Sequence, residues 1–316
     1  MLTRRKLFLY KVETTKGTDA APDTTNDLIL PNGDLNIAIP TEQDTGEGDI
    51  KSTFGPGDSV TIKQSMSLDI TARVRGLGQG AAALVTPAIH AMLMASGHAV
   101  TTAGNGTSVA RSAEYKPTSV AASLKSATGY FYEDGLLYKL LASQNALSFE
   151  ASMNALMAKS PVQAKYTAPT VVALPAWTAP TQKIFRMTNT LCAVTDAGSP
   201  INIGAFTFDA GADVQELYET GNQEFNVVNR NPTIKIDPKA VATAADWLAL
   251  TNATSAQIIA TFTNELGETL VFTAPKAVPT EISPGDRAGQ ITRQKTFSLK
   301  ETTGDDQYTI KWTAVL

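Results

Sequence analysis

Cysteine occurs once in this chain, at Cys192, and histidine twice, at His90 and His98. A lone cysteine excludes an internal disulfide framework and any zinc site built on cysteine pairs, and it fits a protein made in a reducing cytoplasm. The two histidines lie eight positions apart with no carboxylate close in sequence, so structural roles are expected. His98 follows Gly97 at the end of a helical pattern, where a cation suits the helix dipole. Long apolar runs are missing as well. None approaches the ~18–20 residues of a membrane span. The start, Met1 to Tyr10, is basic and then apolar, but Lys11 and Glu13 cut it short and no small-residue cleavage site follows, so neither an anchor nor a secretion signal is expected. Basic charge is also short: 26 Lys and Arg against 30 Asp and Glu leave a net charge of -4, which argues against tight nucleic-acid binding.

Reacting groups are equally scarce. No serine sits in a Gly-x-Ser-x-Gly elbow, and no nucleophile–base pair or acid pair stands out. Gly76, Gly78 and Gly80 superficially match a dinucleotide-binding turn, but no Asp or Glu occurs between Asp69 and Glu114. The fingerprint needs one about 20 positions on, so a tight strand-to-helix turn is the better reading. Asp44 to Asp49 and Gly304-Asp-Asp306 lack the ligand spacing of a calcium loop, which leaves solvated faces or interface loops. Without a secretion signal, the glycosylation patterns at Asn105 and Asn252 carry little. No enzyme, cofactor or metal site is expected.

The chain does hold a recurring order. Met66, Leu68, Ile70, Ala72 and Val74 alternate with Ser67, Asp69, Thr71 and Arg73, which marks a strand with one buried face. A polar, acidic stretch from Glu42 to Asp58 precedes it, and a helical pattern over Ala81 to Ser96 follows. The order returns later. Asp209 to Asn229 is a second acidic loop, Thr233 to Asp237 a second alternating strand carrying Ile234 and Ile236, and Val241 to Leu250 a second helix. Leu191 to Asn229 contains no Lys or Arg. Leu7 to Val12 reads as an early strand or a docking arm, and Thr101 to Ser108 as a turn region. Asp134-Gly135 joins two strands in a hairpin, and Ala146 to Met153 forms a further strand. Prolines 169, 175 and 180 mark a linker. The expected layout is one β unit over residues 1–168, a linker over 169–181 and a second β unit over 182–316.

Acids gather in the two corresponding loops, while Arg73, Arg75, Arg111, Arg287, Arg293 and Lys295 lie elsewhere. A self-assembling subunit can match such patches head to tail, although a solvated face explains them equally well. A tandem β-sandwich adhesin or carbohydrate-binding module is the alternative. It would need an aromatic platform, which Trp177, Trp247 and Trp312 do not obviously provide.

The run Lys6 to Asp19 followed by Pro22, the strand–loop–strand–helix order at Leu35 to Ser96, and the ending Gly304 to Trp312 resemble the major tail (tail tube) proteins of long-tailed, siphovirus-type bacteriophages. The resemblance implies a mainly β fold of two tandem β-sandwich or half-barrel units, each with a flanking helix and a long inter-ring loop. It implies a virion protein, made in the host cytoplasm, that assembles into stacked rings around a lumen for DNA ejection. Partners would be further copies of the chain, the tape measure protein and the tail terminator and distal tail proteins. Passing DNA would not be specifically bound. By this likeness Glu42, Asp44, Glu47, Asp49, Lys51, Phe54, Asp213, Glu216, Tyr218 and Glu219 belong to ring-stacking loops. Met66, Leu68, Ile70, Ile234 and Ile236 lie on barrel strands. Two units per chain would make a ring of three chains with pseudo-sixfold symmetry; a single tube unit would make a hexamer.

Overall fold

The computed structural model describes residues 6–45, 59–78, 85–104, 111–240 and 244–314. They form a mainly antiparallel β structure with two short α-helices and no closed barrel. The first strands are β1 (Lys6–Val12), β2 (Leu28–Ile29), β3 (Ile37–Ala38), β4 (Thr41–Asp44) and β5 (Val60–Arg73). Helix α1 (His90–Ala95) precedes β6 (His98–Ala103), β7 (Arg111–Pro117), β8 (Ala127–Glu133), β9 (Leu136–Asn145), β10 (Ser148–Ala151) and β11 (Met157–Lys165). Next come β12 (Thr170–Val171), β13 (Cys192–Asp196), β14 (Ser199–Ile201), β15 (Phe206–Asp209), β16 (Ala212–Glu219), β17 (Asn222–Arg230) and β18 (Thr233–Ile236). Helix α2 (Ala245–Thr251) leads to β19 (Ala256–Thr263), β20 (Thr269–Arg287), β21 (Gln290–Leu299) and β22 (Thr309–Ala314).

One wide sheet runs β3-β5-β11-β10-β15-β18-β21-β20, every neighbour antiparallel. Its inner face is apolar because β5, β10, β15 and β18 alternate: Met66, Leu68, Ile70, Phe149, Phe206, Phe208, Ile234 and Ile236 are all buried. Opposite lies a second layer, β14-β13-β19-β20-β22-β7-β6. The 19-residue β20 belongs to both layers, pairing with β19 and β22 in its first part and with β21 in its last. Register shifts at Ala256/Ile258 and Pro279/Glu281 mark where it changes layers, the usual work of a bulge. Between the layers Phe272 sits 5.1 Å from Phe149, 5.3 Å from Phe206 and 5.3 Å from Phe208. Offset and edge-on rings at such spacing add to the burial of their large apolar area.

A third group, β2-β1-β8-β9, covers α1, with Phe8, Phe131 and Leu140 fully buried. Asp134 and Gly135 at the β8–β9 turn both have positive φ, 39° and 103°, so the expected hairpin forms on a type I′ geometry.

The extents of the two helices, the second acidic loop and the turn region need correction. The first helix covers six residues rather than Ala81 to Ser96, starting after Pro87, whose carbonyl accepts the His90 N–H; residues 79–84 lie outside the described part. The second covers Ala245–Thr251, with 241–243 outside the described part. Asp209 to Asn229 is not an irregular loop but a two-stranded hairpin, β16–β17. Strand β6 occupies the start of the supposed turn region at Thr101. Within 169–181, Thr170 and Val171 pair with Leu137 and Leu136 of β9. Across that segment, β10 pairs with β15 and β7 with β22, so strands before and after it share sheets.

Candidate functional site

The two acidic stretches form neighbouring hairpins. In the first, β4 extends from β3 along β5, pairing Thr41 with Gln64, Glu42 with Lys63 and, after a register shift, Asp44 with Val60. Strand β5 runs on outward past the core with the apolar Val60 and Ile62, Ile62 being the extra residue at the register shift between Lys63 and Thr61. There both side chains are wet, Val60 at 64% exposure and Ile62 at 49%. Glu42 and Asp44 are exposed on β4. Glu47, Asp49, Lys51 and Phe54 lie outside the described residues.

In the second hairpin, β15 runs on into β16, and β17 into β18. At the bend Gly211 has φ +62°, and a Cβ there would sit 2.1 Å from the Asn231 carbonyl oxygen, so only glycine fits. One face of β16–β17 carries Glu216, Tyr218, Gln223, Phe225 and Val227; Phe225 is buried and Val227 lies under Gly97. Asp213 and Glu219 are exposed on the other face. The second hairpin therefore lies against its own chain rather than standing free.

The hairpins grip each other through one cluster. Lys63 Nζ lies 2.6 Å from Glu216 Oε2, Gln223 Nε2 donates to Glu216 Oε1 at 2.9 Å, and the Lys63 ammonium sits 5.6 Å from the Tyr218 ring centre. The hydrogen bond to Glu216 raises the Lys63 pKa above the ordinary lysine value. Strand β11 ends opposite Ser65, so among the described residues the same edge of β5 has no strand partner from Val60 to Gln64. Side chains take its place: Tyr218 Oη donates to the Ile62 carbonyl at 2.7 Å, and Gln223 Nε2 to the Gln64 carbonyl at 2.8 Å. An open strand edge is thus covered by polar tips. At the base, Arg230 donates to Asp305 and to the Thr118 carbonyl, and Lys16 Nζ contacts Glu224 at 3.2 Å and the Phe225 carbonyl at 2.9 Å.

Of the proposed contact residues, Glu216 and Tyr218 meet the first hairpin, while Glu42, Asp44, Asp213 and Glu219 are exposed. Met66, Leu68, Ile70, Ile234 and Ile236 face the core; the outward positions of their strands are Asp69, Arg73, Thr233 and Lys235. Lys63, Gln223, Lys16 and Arg230 had no place in the sequence reading. Continuing the strand back from Met66 places Lys63 on the opposite face, in line with Ser65 and Ser67, but nothing local marks a side chain that works across 150 residues.

The other candidates are committed to structure. The Gly76–Gly78 turn wraps a buried carboxylate: Gly78 N donates to Glu268 Oε1 at 2.8 Å, Asn264 Nδ2 to Glu268 Oε2 at 2.5 Å, and Arg111 to the Gly78 carbonyl at 2.9 Å. An acid occupies the donors that a phosphate would use. His98 is fully buried, with Nδ1 2.9 Å from the Leu93 carbonyl and Nε2 2.9 Å from Tyr308 Oη. A carbonyl only accepts, so Nδ1 carries the proton and Tyr308 donates to Nε2. Burial lowers its pKa to about 4, so His98 is neutral rather than the cation expected at a helix end. His90 meets Tyr115 Oη at 2.8 Å and is lowered by burial to about 4 as well. The half-buried Cys192 thiol is pushed up to about 11 by desolvation. Asp305 accepts from Ser119 and Arg230, and Asp306 from the Thr302 and Thr303 N–H groups. No group of three metal-binding side chains occurs among the described residues, and none of their helices is long and apolar enough to cross a membrane.

No protein-family model matches the chain, and no curated protein matches it in sequence.

Proposed function

We propose that the chain is a self-assembling structural subunit of a tube, of the kind that long-tailed bacteriophages build as their tail tube. Its hairpins act at contacts between subunits, and no catalytic role is assigned to it. One observation carries this reading. Along the wide sheet, β3-β5-β11-β10 is followed by β15-β18-β21-β20, and the two quartets match in strand direction and in connection. In each, the first two strands are joined through an acidic hairpin and followed by a helix, and the last two are hairpin neighbours. The quartets meet edge to edge where β10 pairs with β15. Two tandem units joined in this way have a natural continuation: the last strand of one chain, β20, meets the first strand of the next, β3, with the same antiparallel polarity. Among the described residues no strand covers the far edge of β3, nor that of β20 beyond Ala277. Repeating one joint head to tail closes a ring when the rotation allows it. Three chains would supply six units.

The outward face of the sheet supports the same reading. It carries Thr71, Arg73, Lys159, Glu150, Thr207, Lys235 and Glu281, polar and of mixed sign, a wall that suits passing DNA without gripping it. Electron microscopy of negatively stained protein, with mass measured over a concentration series, tests the proposal. Rings or stacked tubes are expected as concentration rises. A monomer at every concentration, with no ring in any field, overturns it.

A further inference from the structure

We infer that the cleft beside Trp177 is a binding site for a neutral oligosaccharide. The cleft, of about 360 Å³, lies between the turn at Thr24–Asn26 and the segment Ala176–Gln182. This volume is in the range of small-ligand sites. Trp177 forms part of the wall and is 43% exposed. An indole left this wet offers apolar aromatic area to the cleft, the kind of surface on which the C–H face of a sugar ring stacks. Around it stand the hydroxyls of Thr24, Thr25 and Thr178 and the amides of Asn26 and Gln182. Hydroxyls and amides both donate and accept, as sugar hydroxyls require. None of the described residues lining the cleft is charged, in a chain that is 18% charged overall. A phosphate, a carboxylate ligand or a nucleic acid would find no cation among the described residues that line the cleft, the nearby Arg75 guanidinium being bonded to the Gln182 carbonyl.

The walls are held by bonds that engage the Asn26 amide, whose Nδ2 points at Asp23 at 3.3–3.4 Å, and otherwise use mostly backbone groups. Thr25 and Asn26 donate their N–H groups to Asp23 Oδ1 at 2.8 and 2.9 Å, and these bonds, with Lys11 nearby, hold the Asp23 carboxyl below its usual range. On the other side Arg75 Nη1 donates to the Gln182 carbonyl at 2.8 Å, and Gly76 N to the Lys183 carbonyl at 2.9 Å. A cleft fixed before the ligand arrives spends little on ordering itself. The site is separate from the hairpins and from the edges of β3 and β20, so it stands or falls independently of ring assembly.

The test applies the fluorescently labelled full chain to an array of neutral and charged glycans, then titrates the strongest hit against tryptophan emission. Binding to a neutral glycan is expected, with a shift in emission, at least a tenfold loss in Trp177→Ala and no loss in Trp247→Ala. Circular dichroism and melting of each variant check folding; if Trp177→Ala is unfolded, Thr25→Val and Gln182→Ala take its place with the same expected weakening. Failure to bind any neutral glycan, preference for charged glycans, or undiminished binding by folded Trp177→Ala overturns the inference.

Discussion

Lys63 and Glu216 meet at 2.6 Å across 153 residues of sequence, and through them the two acidic hairpins act as one. The side chains remain 28% and 18% exposed, so water screens much of the attraction. A double-mutant cycle with Lys63→Ala and Glu216→Ala should give a coupling of about 0.2–1 kcal/mol, shrinking in high salt. Because Lys63 is raised, its contribution is complete below the ordinary lysine pKa and fades as pH climbs past that value. Urea midpoints measured across salt and pH check both.

The aromatic core should be far less forgiving. Phe272 packs edge-on or tilted against Phe149, Phe206, Phe208 and Phe262. Phe272→Ala should cost about 3–5 kcal/mol, read from urea unfolding. Phe272→Leu should recover a large part of it. A loss below 1 kcal/mol would show that the two layers are not held here.

Acid should loosen the protein before its carboxylates titrate. His90 and His98 are lowered to about 4 by burial, whereas the unfolded chain takes up protons near 6.5. Between those values the unfolded state binds the extra protons, so stability is full above 6.5 and falls as pH drops toward 4. Each histidine contributes up to about 3 kcal/mol to this slope. His98→Asn should flatten the slope by its share while lowering stability at pH 7, because Tyr308 loses its acceptor. An unchanged slope would mean that His98 is not buried neutral.

A single methyl group should disturb the glycine turn. A Cβ at position 76 would fall 1.9 Å from Glu268 Oε2 and 2.8 Å from Asn264 Nδ2. Gly76→Ala should therefore destabilise by about 1–3 kcal/mol through overpacking. Combined with Glu268→Ala it should be strongly non-additive, since the clash partner is then gone. Thermal melts of the two single variants and the double variant decide it.

The local signals in the sequence proved reliable where one face of a strand was apolar. Met66 to Arg73, Phe149, Thr233 to Ile236 and the Asp134-Gly135 hairpin all formed, because burial fixes the parity of a strand and a positive φ fixes its turn. The second hairpin escaped notice for a physical reason. Asp213, Gln215, Glu219, Asn222 and Asn229 are strand residues by virtue of their partners, and an exposed strand rich in Asn, Gln and Glu reads as loop. Both helices formed, at His90–Ala95 and Ala245–Thr251, and Pro87 was the local signal against a longer first one, since a helix interior does not tolerate proline. No sequence period announces Lys63 against Glu216, or Tyr218 against a bare carbonyl of β5, because those contacts depend on how the sheets come together.

The pairing of Tyr115 with Ile310 in β7 and β22 sets an order on the birth of the molecule. Strand β7 waits on the ribosome for a neighbour synthesised almost 200 residues later, and β10 waits for β15. Contacts so distant along the chain make folding slow and leave strand edges bare meanwhile. Trp312, packed 5.5 Å from Tyr115 and donating to the Arg75 carbonyl, ties β22 to parts of the chain made far earlier. The second layer is thus closed only once β22 has been made, and a chain truncated before β22 would leave β7 paired with β6 alone and one edge of β20 bare over Thr269–Thr273.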